Sequence, residues 1–331
     1  MNRIVVTGEI PRAGLSLLRK EGEVVVVPAS ASRSERELVG LLCDAHAAIT
    51  MLSDPVTARV LRACKELKIV ANYAVGTNNI DLAAAKRRGI YVTNTPGVLT
   101  DATADLTLAL ILAVTRRVVE GDRFVREGRF ERWDPALLLG TSLQGKRLGI
   151  IGMGRIGQAV AARAVAFGME VVSHSRSFDP TPQLELGVAR VTFETLLSTS
   201  HVVTVHTPLT EETHGMLNTK AFALMRKGSF LVNTSRGAVV DEEALADALD
   251  SRHLRGAALD VFENEPKINQ RLLRMPNVVL LPHIGSATEE TRNEMARKVA
   301  SDVLLALRGE TPKHLVFAPR STVTNRRRKA Q

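Results

Sequence analysis

The stretch Arg147-Leu148-Gly149-Ile150-Ile151-Gly152-Met153-Gly154-Arg155-Ile156-Gly157 decides the fold. An apolar run of strand type enters a glycine-rich turn, and an apolar-periodic segment predicts a helix over 155–167. Gly152, Gly154 and Gly157 stand at G-x-G-x-x-G spacing. In that pattern the first glycine permits a tight turn, the second lets a pyrophosphate approach the backbone, and the third lets the helix pack on the strand. Free N–H groups and the helix dipole then favour an anion at the helix start. Three spaced glycines alone would equally fit an ordinary strand–turn–helix. The strand before them and the helix after them supply the context that dinucleotide binding requires.

Working outward, the same alternation continues to about residue 282. Strands are predicted at 147–151, 170–173, 202–205, 230–233, 256–260 and 278–281, with helices at 155–167, 193–198, 220–225 and 241–251. Upstream lies a second series. Strands are predicted at 4–6, 24–27, 47–51, 69–71 and 90–92, and helices at 11–21, 34–43, 55–64 and 81–88. Pro11 and Pro55 suit first-turn positions, and Ser34 and Asp81 suit N-caps. The reading is an α/β chain of two domains, each a parallel sheet covered on both faces. Thr95-Pro96-Gly97 breaks the first series. One long helix, 101 to about 128, is predicted to cross into the second, followed by an irregular arm over 130–144 that holds the single tryptophan, Trp133. The last helix, 288–307, is long and amphipathic. Periodicity leaves open which sheet it covers.

At 331 residues, with 45% hydrophobic and 24% charged side chains, the chain has apolar surface for two cores. No window approaches the ~18 uninterrupted apolar residues of a membrane span. The start, Met1 to Gly8, has the signature of a strand and lacks the apolar core of a signal peptide. Cys43 and Cys64 have neither metal-ligand nor disulfide spacing, so a reducing, cytoplasmic setting and no metal are expected. Five cations and no acid fall in the last twelve residues, leaving +4 of the net +9 to the first 319. The tail, 319–331, has the polarity of a solvated end. Nucleic acid is therefore not expected as a partner, and a mildly basic body suits an enzyme that binds anions.

The usual dinucleotide pattern places an acid about 20 residues past the glycines to bind a ribose 2′-hydroxyl. Here the second strand ends at Ser175-Arg176-Ser177, and the first acid is Asp179. A guanidinium and hydroxyls suit a 2′-phosphate, which a carboxylate would repel. NADP(H) is thus expected over NAD(H). Three further stretches follow predicted strands, where ligands collect in open α/β sheets: Asn233-Thr234-Ser235-Arg236-Gly237, the run from Asp260 to Pro266, and Pro282-His283-Ile284-Gly285-Ser286. Separately, each has a bland reading: Arg236 as a surface arginine, Glu265 as a loop acid and His283 as a satisfied histidine. Together they assemble a chemistry. Arg236 can hold a carboxylate by two-pronged contact. His283 can donate a proton, since imidazole ordinarily titrates near ~6.5. Glu265 can bond the other ring nitrogen and fix the tautomer. That set suits hydride reduction of a 2-oxo acid, the cofactor carrying the hydride.

At these residues the sequence resembles the D-isomer-specific 2-hydroxyacid dehydrogenases, most narrowly the glyoxylate/hydroxypyruvate reductases. The likeness covers about residues 1–318. It also rests on Asn72-Tyr73-Ala74-Val75-Gly76, Tyr91-Val92-Thr93-Asn94-Thr95-Pro96 and Thr103-Ala104-Asp105-Leu106. The resemblance implies a flavodoxin-like substrate domain, 1–98 plus 287–318, and a Rossmann dinucleotide-binding domain, 99–286, which close on each other. It implies catalytic roles for Arg236, Glu265 and His283. It implies substrate contacts from Leu52, Val75 and Gly76, the last two through backbone N–H groups. Cofactor contacts are implied for Thr103, Gly152, Met153, Gly154, Arg155, Ile156, Gly157, Ser175, Arg176, Ser177, Thr234, Ser235 and Gly285. His206, Thr207 and Pro208 would lie beside the adenosine half, and Asp260 would hold the nicotinamide carboxamide. A homodimer joined through the cofactor domains is implied, with Trp133 either projecting toward the partner or packing in its own chain. One departure is Gly76-Thr77-Asn78, where the family often has an acid after the glycine. Expected substrates are glyoxylate and hydroxypyruvate. The alternatives are an NAD-linked relative acting on pyruvate, a longer 2-oxo acid or 3-phosphoglycerate, and a dinucleotide-sensing co-regulator. The chain ends soon after its closing helix, so no separate regulatory domain is expected.

Overall fold

The computed structural model describes residues 1–28, 30, 33–176 and 185–317. Ser177 and the basic tail lie outside the described residues. The chain forms two compact units, one of Met1–Leu99 with the stretch from Thr288 onward, the other of Thr100–Ala287.

The first unit holds β1 (Asn2–Val6), β2 (Gly22–Val26), β3 (Ala47–Thr50), β4 (Ile69–Asn72), β5 (Tyr91–Thr93) and the closing strand β13 (Leu315–Phe317). Their order is β2-β1-β3-β4-β5-β13. The first five follow the flavodoxin arrangement. β13 runs antiparallel to β5, a departure from the all-parallel expectation. Its three residues are too few to show periodicity, and such edge strands are common on parallel sheets. Successive strand residues serve opposite cores. Ile4, Val6, Ile49, Ile69 and Ala71 join Met295, Val299 and Val303. Val5, Ala48, Val70 and Val92 join Leu38, Leu42, Val60 and Leu61. Each fully buried Val, Leu or Ile among them stabilises the fold by about 1.5–3 kcal/mol. The helices are α1 (Arg12–Leu18), α2 (Glu35–Leu42), α3 (Ala58–Ala63), α4 (Leu82–Arg88) and the last, α12 (Glu289–Leu307). Thus α12 returns to the first sheet.

Ser34 caps α2 through a full capping box with Glu37, and Asp81 caps α4 at Ala84 N–H. The prolines do not sit inside the first turns as expected. Pro11 is the N-cap of α1, and Pro55 precedes α3 by three residues. Val56 is held extended, its N–H donating to Asn79 O at 2.9 Å and its carbonyl accepting from Asp81 N–H at 2.9 Å. That tertiary pairing overrides the local helix preference.

The second unit holds β6 (Arg147–Ile151), β7 (Glu170–His174), β8 (Ala189–Arg190), β9 (Val202–Val205), β10 (Ser229–Asn233), β11 (Leu254–Leu259) and β12 (Val278–Leu280). All pairs are parallel, in the order β8-β7-β6-β9-β10-β11-β12. Counted from β6, this is the dinucleotide-binding order with one strand added, and the direction reverses between β6 and β9. The long crossing helix is in fact two, α5 (Thr100–Thr115) and α6 (Val118–Arg126). Arg117 has φ 55°, a left-handed conformation that a right-handed helix cannot pass through. It grips Glu120 with two hydrogen bonds, at 2.8 and 2.6 Å. Helix α5 lies on α7 (Arg155–Ala166) and on β10–β12. α8 (Phe193–Thr199), α9 (Thr219–Leu224), α10 (Glu242–Asp250) and α11 (Gln270–Arg274) complete the unit.

The two sheets repeat one device without repeating sequence around it. At the foot of β1, Arg3 N–H donates to His46 Nδ1 at 3.2 Å; at the foot of β6, Arg147 N–H donates to His201 Nδ1 at 3.1 Å. Each histidine backbone continues the ladder into the next strand. Burial pulls His201 below the ordinary imidazole range, which keeps that acceptor lone pair free of a proton.

Candidate active site

β6 delivers the chain to Gly152, whose φ of 96° excludes most side chains. A Cβ there would also lie 2.7 Å from the carbonyl of His206, at the end of β9. At Gly157 a Cβ would stand 2.1 Å from Gly152 O, so α7 packs directly on the turn. At Gly154 a Cβ would meet no atom within 4 Å. The first and third glycines are therefore demanded by the protein's own packing, whereas Gly154 and the neighbouring Arg155 are exposed at the start of α7. That open cradle fits a pyrophosphate, and Met153 and Ile156 pack their side chains on the core beneath it.

Beside the cradle, His206 Nε2 lies 3.0 Å from Thr204 Oγ1, and burial lowers the ring's pKa to about 3. It is thus a neutral neighbour for an anion. Thr207 and Pro208 continue the same loop. At the end of β7, Ser175 O accepts from Arg190 Nη2 at 2.9 Å, and Arg176 reaches Glu212 at 3.0 Å. Sequence reasoning misses Glu212; it is 36 residues away from Arg176, and no local pattern links the two.

The other three stretches leave one edge. Asn233, Leu259 and Leu280, the last residues of β10, β11 and β12, are register partners. Arg236 follows the first by three residues, Glu265 the second by six, and His283 the third by three. Asn233 organises the β10 turn. Its Oδ1 accepts from Ser235 N–H (3.0 Å) and Oγ (2.8 Å), and its Nδ2 donates to Arg236 O at 2.9 Å. Its signal was present, since an Asn ending a strand before Thr-Ser is an Asx-turn former. Burial lowers the Arg236 pKa, against the charge of Glu265, which raises it. A guanidinium that has lost hydration in this way gains from an incoming carboxylate.

Glu265 Oε2 is 2.8 Å from His283 Nδ1, and Glu265 Oε1 accepts from Phe262 N–H at 2.9 Å. Burial acts to raise the Glu265 pKa, but the bonds from His283 and Phe262 and the Arg236 charge outweigh it, so the carboxyl stays below its ordinary range. An ionised Glu265 accepts at Nδ1–H, which leaves Nε2 as the working nitrogen of His283. His283 itself has φ 56°. Asp260, buried at 1% exposure, secures that turn. Its Oδ1 accepts from Ile284 N–H at 2.7 Å and its Oδ2 from Gly285 N–H at 2.8 Å. Burial raises the Asp260 pKa and these two bonds work against it. Thr103 of α5 lies against Gly285, and Thr107 on the same helix bonds Thr234 at 3.0 Å. The second unit thus brings together Thr103, Thr234, Arg236, Asp260, Glu265, His283 and Gly285.

Leu52, Val75 and Gly76 belong to the first unit. Leu52 is half-buried in the turn after β3, and Val75 and Gly76 follow β4. Thr50 and Asn72, which end those strands, are register partners.

A glycine cradle at the switch point of a dinucleotide-ordered sheet, with a carboxylate–imidazole pair and a guanidinium on the same edge, defines a nicotinamide-dependent oxidoreductase. Residues 108–285 match the model for the D-isomer-specific 2-hydroxyacid dehydrogenase NAD-binding domain. The chain belongs to that family. A glyoxylate reductase of Thermococcus litoralis is 47% identical over 318 residues, 95% of this chain and 96% of the relative. The crystal structure of a Thermus thermophilus protein superposes with a TM-score of 0.90 at 48% identity, covering 95% of this chain and 100% of that one. An NADPH-dependent glyoxylate/hydroxypyruvate reductase of Sinorhizobium meliloti, solved with NADP and malonate, gives 0.86 at 33% identity, covering 96% and 98%. Among the described residues no helix is long and apolar enough to cross a membrane, and no acid, histidine and cysteine cluster could hold a metal.

Proposed function

We propose that the chain reduces glyoxylate and hydroxypyruvate to the corresponding 2-hydroxy acids, with NADPH preferred over NADH. The observation that carries the chemistry is the 2.8 Å bond between Glu265 and His283 Nδ1, on the edge that also bears Arg236. Arg236 clamps the substrate carboxylate with two N–H groups. His283, protonated at Nε2, gives its proton to the carbonyl oxygen, and Glu265 holds the ring and favours its charged form. In the reverse direction the neutral ring accepts the hydroxyl proton. The dinucleotide, held by the cradle at 152–157 with Thr234, Ser235, Asp260 and Thr103 nearby, supplies the hydride. Val75 and Gly76 serve as carboxylate-binding amides and Leu52 lines the substrate. The names of the relatives support the substrate class.

The NADPH preference rests on Arg176. Its bond to Glu212 joins side chains 67% and 69% exposed, and such pairs hold by only about 0–1 kcal/mol. A 2′-phosphate of higher charge displaces it. A homodimer through the second unit accounts for a row of exposed apolar side chains, Val118 (55%), Val125 (59%), Phe130 (55%) and Trp133 (78%). An exposed Trp133 does not pack in its own chain. The test is nicotinamide absorbance with NADPH or NADH against glyoxylate, hydroxypyruvate, pyruvate and phosphohydroxypyruvate. Turnover restricted to the last two would move the substrate assignment, and a clear NADH preference would overturn the Arg176 reading.

A further inference from the structure

The turn carrying Leu52 and the loop carrying Val75 and Gly76 are tied together by side-chain amides. Asn72, buried at the end of β4, donates from Nδ2 to Gly76 O at 2.7 Å and to Asn79 Oδ1 at 3.1 Å. Asn79 Nδ2 returns the contact at Asn72 Oδ1 (3.3 Å) and reaches the carbonyls of Met51 and Asp54, both at 3.1 Å. Thr50 Oγ1 donates to Asn72 Oδ1 at 3.0 Å. A third amide, Asn94, donates to Val75 O at 2.7 Å, and Thr95 N–H donates to Ala74 O at 2.9 Å. The far side of the Leu52 turn is anchored by Asp54, which accepts from Met51 N–H at 2.7 Å, from Arg33 at 2.7 Å and from the Thr7 hydroxyl. Asp54 is fully buried and Arg33 is 7% exposed.

These bonds share one consequence. The carbonyls of Ala74, Val75 and Gly76 are all taken by the protein. The N–H groups of Val75 and Gly76 donate to no acceptor among the described residues. Val75 is 37% exposed. A loop whose carbonyls are pinned to the scaffold presents its N–H groups outward as an anion-binding concavity. The same two asparagines hold the Leu52 turn at a set distance from those amides.

We propose that Asn72 and Asn79, supported by Asn94, are positioning residues that aim the Val75 and Gly76 N–H groups at the substrate carboxylate and hold Leu52 over its 2-substituent. The proposal rests on the substrate-binding role given above to those three residues. It adds that the length of the accepted 2-oxo acid is set by an amide pair that does not touch it. Loosening the pair separates the amides from Leu52, weakens carboxylate binding and relaxes discrimination against longer acids.

Asn79→Ala, Asn79→Asp and Asn94→Ala are compared with the parent enzyme by KM for glyoxylate, KM for NADPH, Ki for the unreactive dicarboxylate oxalate, and Tm. In Asn79→Ala the glyoxylate KM and oxalate Ki rise about tenfold or more, as for ligand groups displaced by a fraction of an ångström, while the NADPH KM stays within about twofold. Asn79→Asp, which loses the donor and sets a carboxylate against two carbonyls, is worse. Asn94→Ala, missing one bond at a half-buried site, shows the same split in smaller measure and decides the matter if the Asn79 variants do not fold. The kcat/KM ratio of glyoxylate to 2-oxobutyrate falls in each. A lower Tm with unchanged KM and Ki, or an equal rise in the NADPH KM, would mean that the amides only brace the loops. A parent enzyme that turns over no 2-oxo acid would sink the functional reading; a parent that does, with variants that match it, sinks the clamp alone.

Discussion

His283 is held in a left-handed backbone conformation, φ 56°, which costs of order 1–3 kcal/mol in a residue with a Cβ. The carboxylate of Asp260 holds it there by two backbone N–H bonds, and Glu265 holds the ring. Such strain persists where a side chain must be aimed. His283→Ala is therefore expected to lower kcat about 10²–10⁴-fold with little change in Tm, measured by steady-state kinetics and thermal melting. Arg236→Lys is expected to raise KM for the 2-oxo acid and lower kcat together, because an ammonium cannot reproduce the two-pronged contact. A kcat unchanged in either variant would remove that residue from the mechanism. His206 offers a test by pH. Its folded pKa is lowered to about 3 from the ordinary 6.5, so the unfolded chain binds a proton that the folded chain refuses. Stability is present above 6.5 and declines as pH falls toward the folded value. Between about pH 6.5 and about pH 4.5 the parent should lose more Tm than His206→Gln; equal losses would contradict the assignment.

At the scale of an element, the glycine turn separates packing from binding. Gly157→Ala drives a Cβ to 2.1 Å from Gly152 O and should lower Tm markedly. Gly154→Ala meets open space, so Tm should hold while the KM for NADPH rises; an equal loss of Tm in both would show that the cradle is only a packing feature. Arg176→Ala should lower kcat/KM for NADPH about 10–100-fold, the worth of a charged hydrogen bond, and leave NADH unchanged. The capping residues Ser34 and Asp81 and the run from Arg147 to Gly157 were legible because their signals are local. The break at Arg117 and the extended Val56 were not. One depends on a left-handed residue gripping Glu120, the other on ladder bonds to Asn79 and Asp81, and neither leaves a periodic trace.

For the whole molecule, the strand orders depend on which elements meet, and residue patterns specify that only weakly. The alternation of β and α predicted two parallel sheets. It did not say that α12 returns to the first sheet or that β13 closes it antiparallel; the family resemblance supplied the return. Arg236, Glu265 and His283 were legible because each follows a strand end and the three chemistries fit one reaction. Asn72, Asn79 and Glu212 were not: the Asn72 bonds to Gly76 and Asn79 depend on how the loop after β4 folds back, and Asn79 and Glu212 act on chain 25 or more residues away. The exposed Val125 and Phe130 predict a particle of twice the 36.0 kDa chain mass, and Val125→Glu with Phe130→Glu should halve it in sedimentation; a parent that sediments as a single chain would refute the dimer. The central claim is that this site passes hydride and proton to a small 2-oxo acid. Its most direct test is the rate of NADPH oxidation with glyoxylate, in parent and His283→Ala enzymes of matched Tm. Saturable oxidation by the parent, faster than with NADH and all but lost in the variant, is the expected result. No oxidation by the parent, or equal rates in both, would contradict it.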